Sequence, residues 1–427
     1  MYIKKIKVQN FLSFKKIDLT LQKFNVIIGP NAAGKSNFIK IFEFVKQIAE
    51  IGLNKAILNQ GGIRYLKNFN CEDSKNIIIE IEVECENEKP NLFYEGDSKE
   101  NPIGILVCNF SYHLELKITN DKRNWLINEE ILATENKFFR VKRTKDEYDA
   151  IGEIANLKFI FQNKNGEMSY NIVEKDIPEQ LIDFVTLIST MKDFRKGKIN
   201  IKESLLERSI YAPIYFEINS FIKNFSVYNF NPQFSKGLIP LAESPELDKD
   251  GSNLPIILNR ILENNDQRER FLTHLKNFLP FIEEVQTRKR GMKFIELGLN
   301  EIFFKKKFIP SFLISDGTIN IIIYIVLLYF EEKELIIIEE PERNIHPKLI
   351  EEIIQTIKDV SKRMNKQIIL TTHNPLIVKY TGIENILTIY RDNKGFSTIE
   401  YPNEKEDIKI FLKNKLGIDE LFIENFI

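Results

Sequence analysis

One octapeptide constrains the fold of this chain more than any other feature of its sequence. Residues 29–36 read Gly-Pro-Asn-Ala-Ala-Gly-Lys-Ser and match the pattern G-x-x-x-x-G-K-[ST]. The run Phe24–Ile28 precedes the motif and predicts a buried strand, and helical spacing of apolar residues across Lys35–Ile51 follows it. A strand that leads through a glycine-rich turn into a helix predicts an α/β fold of the P-loop NTPase class.

The glycine-rich turn predicts a nucleotide site. Glycines let the backbone point successive N–H groups at a β-phosphate, and the helix N-terminus adds partial positive charge. The Lys35 ammonium should reach the β- and γ-phosphates, and the Ser36 hydroxyl should ligate Mg²⁺, which prefers oxygen ligands. We therefore predict that ATP and Mg²⁺ are held by the following residues: Gly29, Pro30, Asn31, Ala32, Ala33, Gly34, Lys35, Ser36 and Asn37.

A second predicted strand, near the C-terminus, ends in two adjacent carboxylates. The four aliphatic residues Leu335–Ile338 lead into Glu339 and Glu340. Because side chains alternate along a strand, the two glutamates should have different roles, one towards Mg²⁺ and the other towards an attacking water. The alternative is an acidic pair on a solvated surface, and the phosphate loop in the same chain favours the functional interpretation.

A histidine follows the next predicted strand. Gln367–Leu370 is followed by Thr371, Thr372 and His373. An isolated histidine is usually an ordinary surface or core residue. However, α/β sheets bind ligands at the carboxyl ends of their strands, so His373 is placed to sense a γ-phosphate.

The patterning divides the chain into four parts. Residues 1–70 form the N-terminal part of an ATPase lobe with the phosphate loop, residues 71–175 an antiparallel β insertion, residues 176–310 a mainly helical lobe, and residues 311–427 the C-terminal ATPase lobe. A stretch rich in Pro and Asn, from Pro213 to Pro255, should interrupt the helices of the third part.

Periodicity locates the main elements of the insertion and of the C-terminal lobe. Alternating apolar residues predict strands in the insertion at Ile77–Glu84, Ile103–Lys117, Lys137–Arg143 and Leu157–Phe161. Helices are predicted at Ile319–Phe330 and Leu349–Met364. They alternate with the two buried strands of the C-terminal lobe, which indicates a parallel sheet.

Composition excludes several classes of protein. The 427 residues include 60 Lys and Arg against 61 Asp and Glu, so total charge gives no argument for nucleic-acid binding. Cys71, Cys85 and Cys108 lie far apart, which disfavours disulfides and zinc sites and predicts a reducing cytoplasm. The longest apolar run, Ile321–Phe330, is shorter than the roughly 20 residues of a membrane span, so we expect no membrane association.

The order of these motifs resembles the ABC-type ATPase heads. Between the phosphate loop and the acidic strand lies Ser315-Asp316-Gly317-Thr318, at the place of the signature loop. Gln9–Phe14 and Glu339–Pro347 are similar to the opening strand and the acidic-strand extension of the RecF/SMC/OLD-like group, often described as AAA family ATPases. The resemblance covers residues 1–65 and 310–427, and the sequence shows no sustained heptads of a coiled coil.

The resemblance implies a role for each matching residue. Lys35 and Ser36 hold phosphate and Mg²⁺, Glu339 assists the metal, Glu340 is the general base and His373 is the switch histidine. These heads commonly carry Asp where this chain has Glu339, and the extra methylene still allows contact with Mg²⁺ through water.

The resemblance also implies a dimer. Ser315 and Gly317 would contact the γ-phosphate bound to the opposite protomer, and Asn344–His346 would cross the dimer interface. ATP would then join two heads, and hydrolysis would loosen them.

The biological partner is open between two main hypotheses. One is a regulatory ATPase that controls a separate nuclease or toxin in anti-phage defence, because only about 50 residues follow His373, too few for the nuclease domain fused to OLD-like relatives. The other is a DNA-repair or recombination ATPase that binds DNA directly. A sensor that does not hydrolyse ATP is disfavoured by Glu340.

The DNA hypothesis depends on clusters of basic residues, which can neutralise phosphates. Solvated faces balanced by acids such as Glu82 and Glu84 are the favoured alternative. The clusters are Lys137, Arg140, Lys142, Arg143 and Lys145; Arg288, Lys289, Arg290 and Lys293; and Lys305–Lys307.

Overall fold

A computed structural model describes residues 1–71, 76–86, 89–90, 92–95, 102–119, 124–144, 148–174, 176–190, 200–207, 213–242, 245–304, 307–404 and 418–423. Two units, each drawn from separate segments, divide the chain. The first unit contains Met1–Gln22, Ala32–Phe225 and Ile389–Glu400, and the second contains Lys23–Asn31, Ser226–Thr388 and Tyr401–Ile427. The chain therefore passes from the second unit into the first within the phosphate loop.

The described residues form both β-strands and α-helices. The strands are β1 (Tyr2–Phe11), β2 (Phe14–Thr20), β3 (Phe24–Ile28), β4 (Ile77–Glu84), β5 (Leu92–Tyr94), β6 (Ile103–Ile118), β7 (Trp125–Arg143), β8 (Tyr148–Lys164), β9 (Glu167–Ile172), β10 (Phe225–Tyr228), β11 (Ile239–Pro240), β12 (Ile282–Arg290), β13 (Phe294–Glu301), β14 (Ile309–Pro310), β15 (Leu335–Glu339), β16 (Gln367–Thr372), β17 (Ile386–Arg391) and β18 (Ser397–Glu400). The α-helices are α1 (Lys35–Ile51), α2 (Leu53–Asn59), α3 (Ile63–Leu66), α4 (Ile182–Thr190), α5 (Pro213–Lys223), α6 (Leu254–Glu263), α7 (Asn265–Phe278), α8 (Asp316–Tyr329), α9 (Pro347–Arg363), α10 (Pro375–Thr381) and α11 (Ile418–Ile423).

The first unit contains an antiparallel sheet, which confirms the predicted β insertion. Its strands follow the order β2-β1-β4-β6-β7-β8-β9, with β5 beside β6, and β18 pairs parallel with β2. Strand β4 illustrates the alternating burial that favours a strand. Its residues Ile77, Ile79, Ile81 and Val83 are buried, whereas the residues between them are half-buried. Strand β7 begins at Trp125, earlier than predicted, because polar residues such as Glu129 interrupt its apolar alternation.

Aromatic side chains hold helix α1 against the first strands of this unit. The ring of Phe38 lies 6.4 Å from that of Phe14 and 5.3 Å from that of Phe42, in edge-on arrangements that aromatic pairs prefer. Phe11 and Phe44 make a further contact at 5.7 Å. All five side chains are fully buried, so the helix that follows the phosphate loop has a fixed place in the first unit.

The second unit contains the predicted parallel sheet. Strands β15, β16, β3 and β17 lie side by side and parallel, with β10 beyond β15. All residues of β3 and β16 are buried, as expected for strands covered on both faces. Residues of α8 and α9 belong to the same hydrophobic core as these strands. The expected α/β P-loop architecture is therefore confirmed.

The helices of the third part were predicted to be interrupted from Pro213 to Pro255, and the first residue of this interruption was wrong. Helix α5 begins at Pro213, because proline lacks only an N–H that has no partner in the first turn of a helix. The mainly helical third part also contains an unpredicted antiparallel hairpin, β12 and β13. Charged residues near Arg290 concealed its alternation. Among the described residues, no helix is both long and apolar enough to cross a membrane.

Candidate nucleotide-binding site

The carboxyl ends of three neighbouring parallel strands meet at one edge of the second unit's sheet. Glu339 lies opposite Thr371 across the β15–β16 pair, and Thr371 lies opposite Ile27 across the β16–β3 pair. This register brings the acidic residues after β15, His373 after β16 and Gly29 after β3 to the same edge. Ligands bind at this edge of parallel sheets.

The phosphate loop has the backbone that its sequence predicts. Gly34 has φ of 119° and Ala32 has φ of 62°, and α1 begins directly after the turn, at Lys35. The N-cap residue is glycine, so no side chain occupies the N–H groups of the first turn, and that turn contains no acidic residue. Lys35 is half-buried and Ser36 is exposed. The loop is thus compatible with phosphate binding by backbone amides.

Three side chains of the first unit, which the sequence did not single out for this purpose, support the loop. The Ser397 hydroxyl donates to the carbonyl of Ala33 at 2.6 Å and to the hydroxyl of Ser13 at 2.8 Å. The Arg391 Nε donates to the carbonyl of Ala32 at 2.8 Å. Ser13 lies within the opening motif, but no local pattern marks Ser397 or Arg391, since their role depends on contacts distant in sequence.

The carboxylate of Glu340 lies between two side-chain nitrogen atoms. Its Oε1 is 3.0 Å from Nδ1 of His373, and its Oε2 accepts from Nη2 of Arg343 at 2.7 Å. The backbone N–H of Glu340 donates to the carbonyl of Thr371 at 2.8 Å, and its φ of 48° turns the chain away from the sheet. The structure therefore brings the predicted base into contact with the predicted switch histidine.

A half-buried glutamate, Glu342, anchors the loop that follows β15. Burial raises the pKa of the Glu342 carboxyl, and the Thr372 hydroxyl, which donates to its Oε1 at 2.6 Å, opposes that effect. The Thr372 hydroxyl also accepts from the N–H of Asn374 at 2.9 Å. This bridge joins the loop after β15 to the loop that carries His373. Apart from the position of Glu342 in the acidic extension, no local sequence pattern indicates this bridge.

The predicted signature turn forms the N-terminus of α8. Ser315 is the N-cap, and its hydroxyl accepts from the N–H of Thr318 at 3.1 Å. Lys236 lowers the pKa of the Asp316 carboxyl through a 2.5 Å ion pair, and Gln233 donates to the same carboxylate. Ser315 remains exposed, as contact with a ligand requires.

The signature turn packs against the loop after β15. A Cβ atom on Gly317 would lie 2.7 Å from the carbonyl oxygen of Asn344, so only glycine fits there. The structure thus places Ser315 and Gly317 in the second unit, beside the loop that carries Glu340. Lys35 and Ser36 begin α1 in the first unit, which the chain enters at Ala32. The catalytic, phosphate-binding and metal-binding roles of these residues stay predictions.

The basic clusters are partly neutralised by their surroundings. Lys137 lies 3.7 Å from Glu153, and the Arg290 guanidinium pairs with Glu296. Arg288 instead stacks 3.6 Å from the ring centre of Phe308. The acids named as balancing the basic clusters pair with lysines outside those clusters: Glu84 pairs with Lys4 and Glu82 with Lys7. Lys145, Lys305 and Lys306 lie outside the described residues.

Comparisons with known proteins identify the family of the chain. Residues 1–378 match the family model described as "AAA ATPase domain". The chain is 21% identical over 337 residues to "Endonuclease GajA" of Bacillus cereus (strain VD045). The matched region covers 65% of this chain and 56% of that protein. It is 26% identical over 305 residues to "Chromosome partition protein Smc" of Methanocaldococcus jannaschii, and this matched region covers 70% of this chain and 24% of that protein. The matched region is thus a quarter to just over half of these relatives.

Two solved structures are similar over nearly the whole chain. One is the SmcHead bound to the C-winged helix domain of ScpA, with 13% identity, a TM-score of 0.44, and coverage of 94% of this chain and 98% of that one. The other is the SMC head domain from Thermotoga maritima, with 12% identity, a TM-score of 0.39, and coverage of 94% and 99%.

Proposed function

Because the chain belongs to the AAA ATPase domain family, we propose that it is an ATP-hydrolysing switch in which ATP joins two copies and hydrolysis separates them. The observation that supports this most is the meeting of three strand ends in the second unit. It places Glu339, Glu340 and His373 at the edge from which β3 leads into the phosphate loop. Separate segments of the chain thus supply groups for one reaction.

Each of these groups has a defined task in the proposed reaction. The amides of the phosphate loop and the Lys35 ammonium bind the phosphates, and the glycine at 34 keeps the loop free of a Cβ atom. The Ser36 hydroxyl and the Glu339 carboxylate fit Mg²⁺, because both offer oxygen ligands. Mg²⁺, when bound, would offset charge on the phosphates. The Glu340 carboxylate orients a water for attack, and His373 lies against that carboxylate.

The exposed signature turn supports the proposed dimer. The hydroxyl of Ser315 and the N-terminus of α8 can complete the surroundings of a γ-phosphate bound to a second copy. Each nucleotide would then contact both protomers. Loss of the γ-phosphate removes this link, so the dimer loosens.

The output of the switch is proposed to be control of a separate effector, a nuclease or toxin in anti-phage defence. The similarity to a protein described as an endonuclease supports a connection with nucleic-acid cleavage. Direct DNA binding by this chain has less support, because Lys137 and Arg290, which suggested it, are paired with glutamates.

Replacement of the proposed base tests the switch. Glu340→Gln should keep ATP binding, slow hydrolysis roughly 10²-fold or more, and accumulate a dimer that depends on ATP. Phosphate release measures the first effect, and light scattering with ATP, with ADP and without nucleotide measures the second. Glu352→Gln, at an exposed position of α9, is the control and should behave like the wild type. Hydrolysis by Glu340→Gln at the wild-type rate would show that Glu340 is not the base.

A further inference from the structure

An arginine beside the proposed base has no task in the reaction described above. The Arg343 side chain is 46% exposed, yet it is held at several points. Its Nη2 donates to Glu340 at 2.7 Å, and its Nη1 donates to Oδ1 of Asn229 at 3.1 Å. Its main-chain carbonyl accepts from Nδ2 of Asn320 at 2.7 Å. An exposed arginine with this many contacts is ordered in advance, although arginine has much rotamer freedom to lose.

We propose that Arg343 is a positioning residue for ATP hydrolysis, which holds the Glu340 carboxylate in the orientation needed to direct the attacking water. This assignment rests on the proposed function. It gives a task to a residue of the acidic extension for which the resemblance implies no role.

The first argument is that the ion pair has little value for folding. An exposed pair between Arg and Glu contributes about 0–1 kcal/mol to stability. Both Arg343 and Glu340, at 46% and 27% exposure, are in contact with solvent. Orientation is different, because a displacement of a reacting group by about 1 Å can cost on the order of 10² in rate. The pair can therefore matter far more for hydrolysis than for stability.

The second argument is geometric. A glutamate side chain has three rotatable bonds, and Glu340, with its positive φ, lies one residue beyond the end of β15. The guanidinium of Arg343 engages one carboxylate oxygen, and Nδ1 of His373 lies 3.0 Å from the other. These two contacts together define the plane of the carboxylate.

The third argument connects the base to α8, the helix that begins at the signature turn. Asn320, which is 2% exposed, holds the carbonyl of Arg343 from the first turns of α8. Tyr324, one turn later, donates from its hydroxyl to the carbonyl of Pro341 at 3.0 Å. A movement of α8 when Ser315 meets a second copy's nucleotide would therefore reach Arg343 and, through it, Glu340.

A double-mutant cycle tests whether Arg343 acts through Glu340. Arg343→Ala should lower kcat about tenfold or more and change KM for ATP less than about twofold. In the Glu340→Gln background, the same substitution should change the residual rate less than about twofold, since the group that it positions has been altered. Arg343→Lys should restore only part of kcat, because the ammonium keeps the charge but lacks the planar fork of guanidinium.

Arg268→Ala provides the matched control. Arg268, on α7, lies in the same unit, has a side chain that is 41% exposed, and pairs with Glu284 of β12. We expect wild-type kcat and KM for this variant. Thermal unfolding of every variant should stay close to that of the wild type.

Each result of the cycle has a clear meaning. Equal effects of Arg343→Ala in the wild-type and Glu340→Gln backgrounds would show that Arg343 does not act through the carboxylate, and would overturn the assignment while leaving Glu340 as the base. A wild-type rate for Glu340→Gln, or no measurable hydrolysis by the wild type, would instead overturn the proposed function and the assignment with it.

Discussion

At the scale of single residues, Gly34 shows how backbone conformation and space combine to require glycine. Its φ of 119° is one that residues with a side chain rarely adopt. A Cβ atom built there would lie 2.3 Å from the hydroxyl of Ser397 and 3.1 Å from that of Ser13. Because the Ser397 hydroxyl donates to the carbonyl of Ala33, a methyl group at position 34 would disturb the support of the loop as well.

Gly34→Ala is therefore expected to weaken ATP binding by at least roughly tenfold, which is about 1.4 kcal/mol of binding free energy. The reason is that the substitution alters the direction of the amides that should contact the phosphates. Isothermal titration calorimetry with ATP and Mg²⁺ measures the effect. Gly62→Ala is the control, because Gly62 also has a positive φ, 103°, but a Cβ there would meet nothing within 4 Å. Equal affinities of the two variants would argue against phosphate binding by the backbone of this loop.

The residues of the candidate site differ in how far the sequence could reveal them. Gly34, Lys35, Glu339 and Glu340 lie in short motifs whose chemistry is local, so the sequence alone could single them out as candidates. Arg343 lies in the acidic extension, but its contact with Asn229 joins residues 114 positions apart. No local pattern contains such a pairing, because it exists only once the strands have been assembled.

At the scale of elements, the periodicity of apolar residues and their burial explain most of the helices and strands that were predicted from the sequence. Helix α1 has the predicted bounds, since its apolar residues follow the helical repeat and those from Phe38 to Ala49 are buried. Strand β7 was predicted only from Lys137 onwards. Its first half carries Glu130 at a position that is fully buried, where an apolar residue is expected. The polar core residue concealed the strand.

Glu130 holds a separate segment against β7. Its carboxylate accepts from the Tyr112 hydroxyl and the N–H of Leu205, both at 2.8 Å, and from the Ser204 hydroxyl at 2.5 Å. Burial raises the pKa of this carboxyl to about 7, although these hydrogen bonds act in the opposite direction. The contact between β7 and the segment at 204–205 therefore depends on the protonation of a single buried group.

The raised pKa predicts a stability that falls as the pH rises. Below the ordinary pKa of 4.5 the folded and unfolded states are both protonated at Glu130 and no penalty exists. Between 4.5 and about 7 the unfolded chain loses the proton first, so the free energy of unfolding declines, by a total on the order of 3 kcal/mol. Glu130→Gln cannot titrate, so its stability relative to the wild type should increase from pH 5 to pH 8. Urea denaturation at both pH values measures the difference.

Glu84→Gln is the control for this experiment. Lys4, which donates to the Glu84 carboxylate, holds the pKa of that group below 4.5, so its titration lies outside the range from pH 5 to pH 8. This variant should keep the wild-type dependence on pH over that range. If Glu130→Gln also kept it, the proton on Glu130 would have no part in stability.

At the scale of the whole molecule, each unit depends on pairings between distant parts of the chain. Strand β3 pairs with β16, so that Val26 lies opposite Leu370, and with β17, so that Val26 also lies opposite Ile386. Periodicity predicts that such strands exist and are parallel, but it does not say which of them are neighbours. The sequence could therefore give the fold class and the motif positions, whereas the order of strands and the interleaved units required the structure.

The proposed dimer is tested most directly at the signature turn. Ser315→Arg, introduced into the Glu340→Gln background, should abolish the dimer that depends on ATP, because a long charged side chain at an exposed helix N-terminus would exclude a second copy's phosphates from that position. ATP affinity should change less than about twofold, since in this proposal the turn contacts only the nucleotide of the other copy. Light scattering measures the assembly, and calorimetry measures the affinity at concentrations where the protein is monomeric.

Thr273→Arg in the same background separates this effect from a general effect of added charge. Thr273 is an exposed hydroxyl residue on α7, in the same unit as the signature turn. The variant should still form the dimer with ATP. If Ser315→Arg lost ATP binding as a monomer, the turn would belong to the nucleotide site of its own chain. If it kept the dimer, the two copies would associate through another surface. Only loss of the dimer with retained affinity agrees with a nucleotide shared between two protomers.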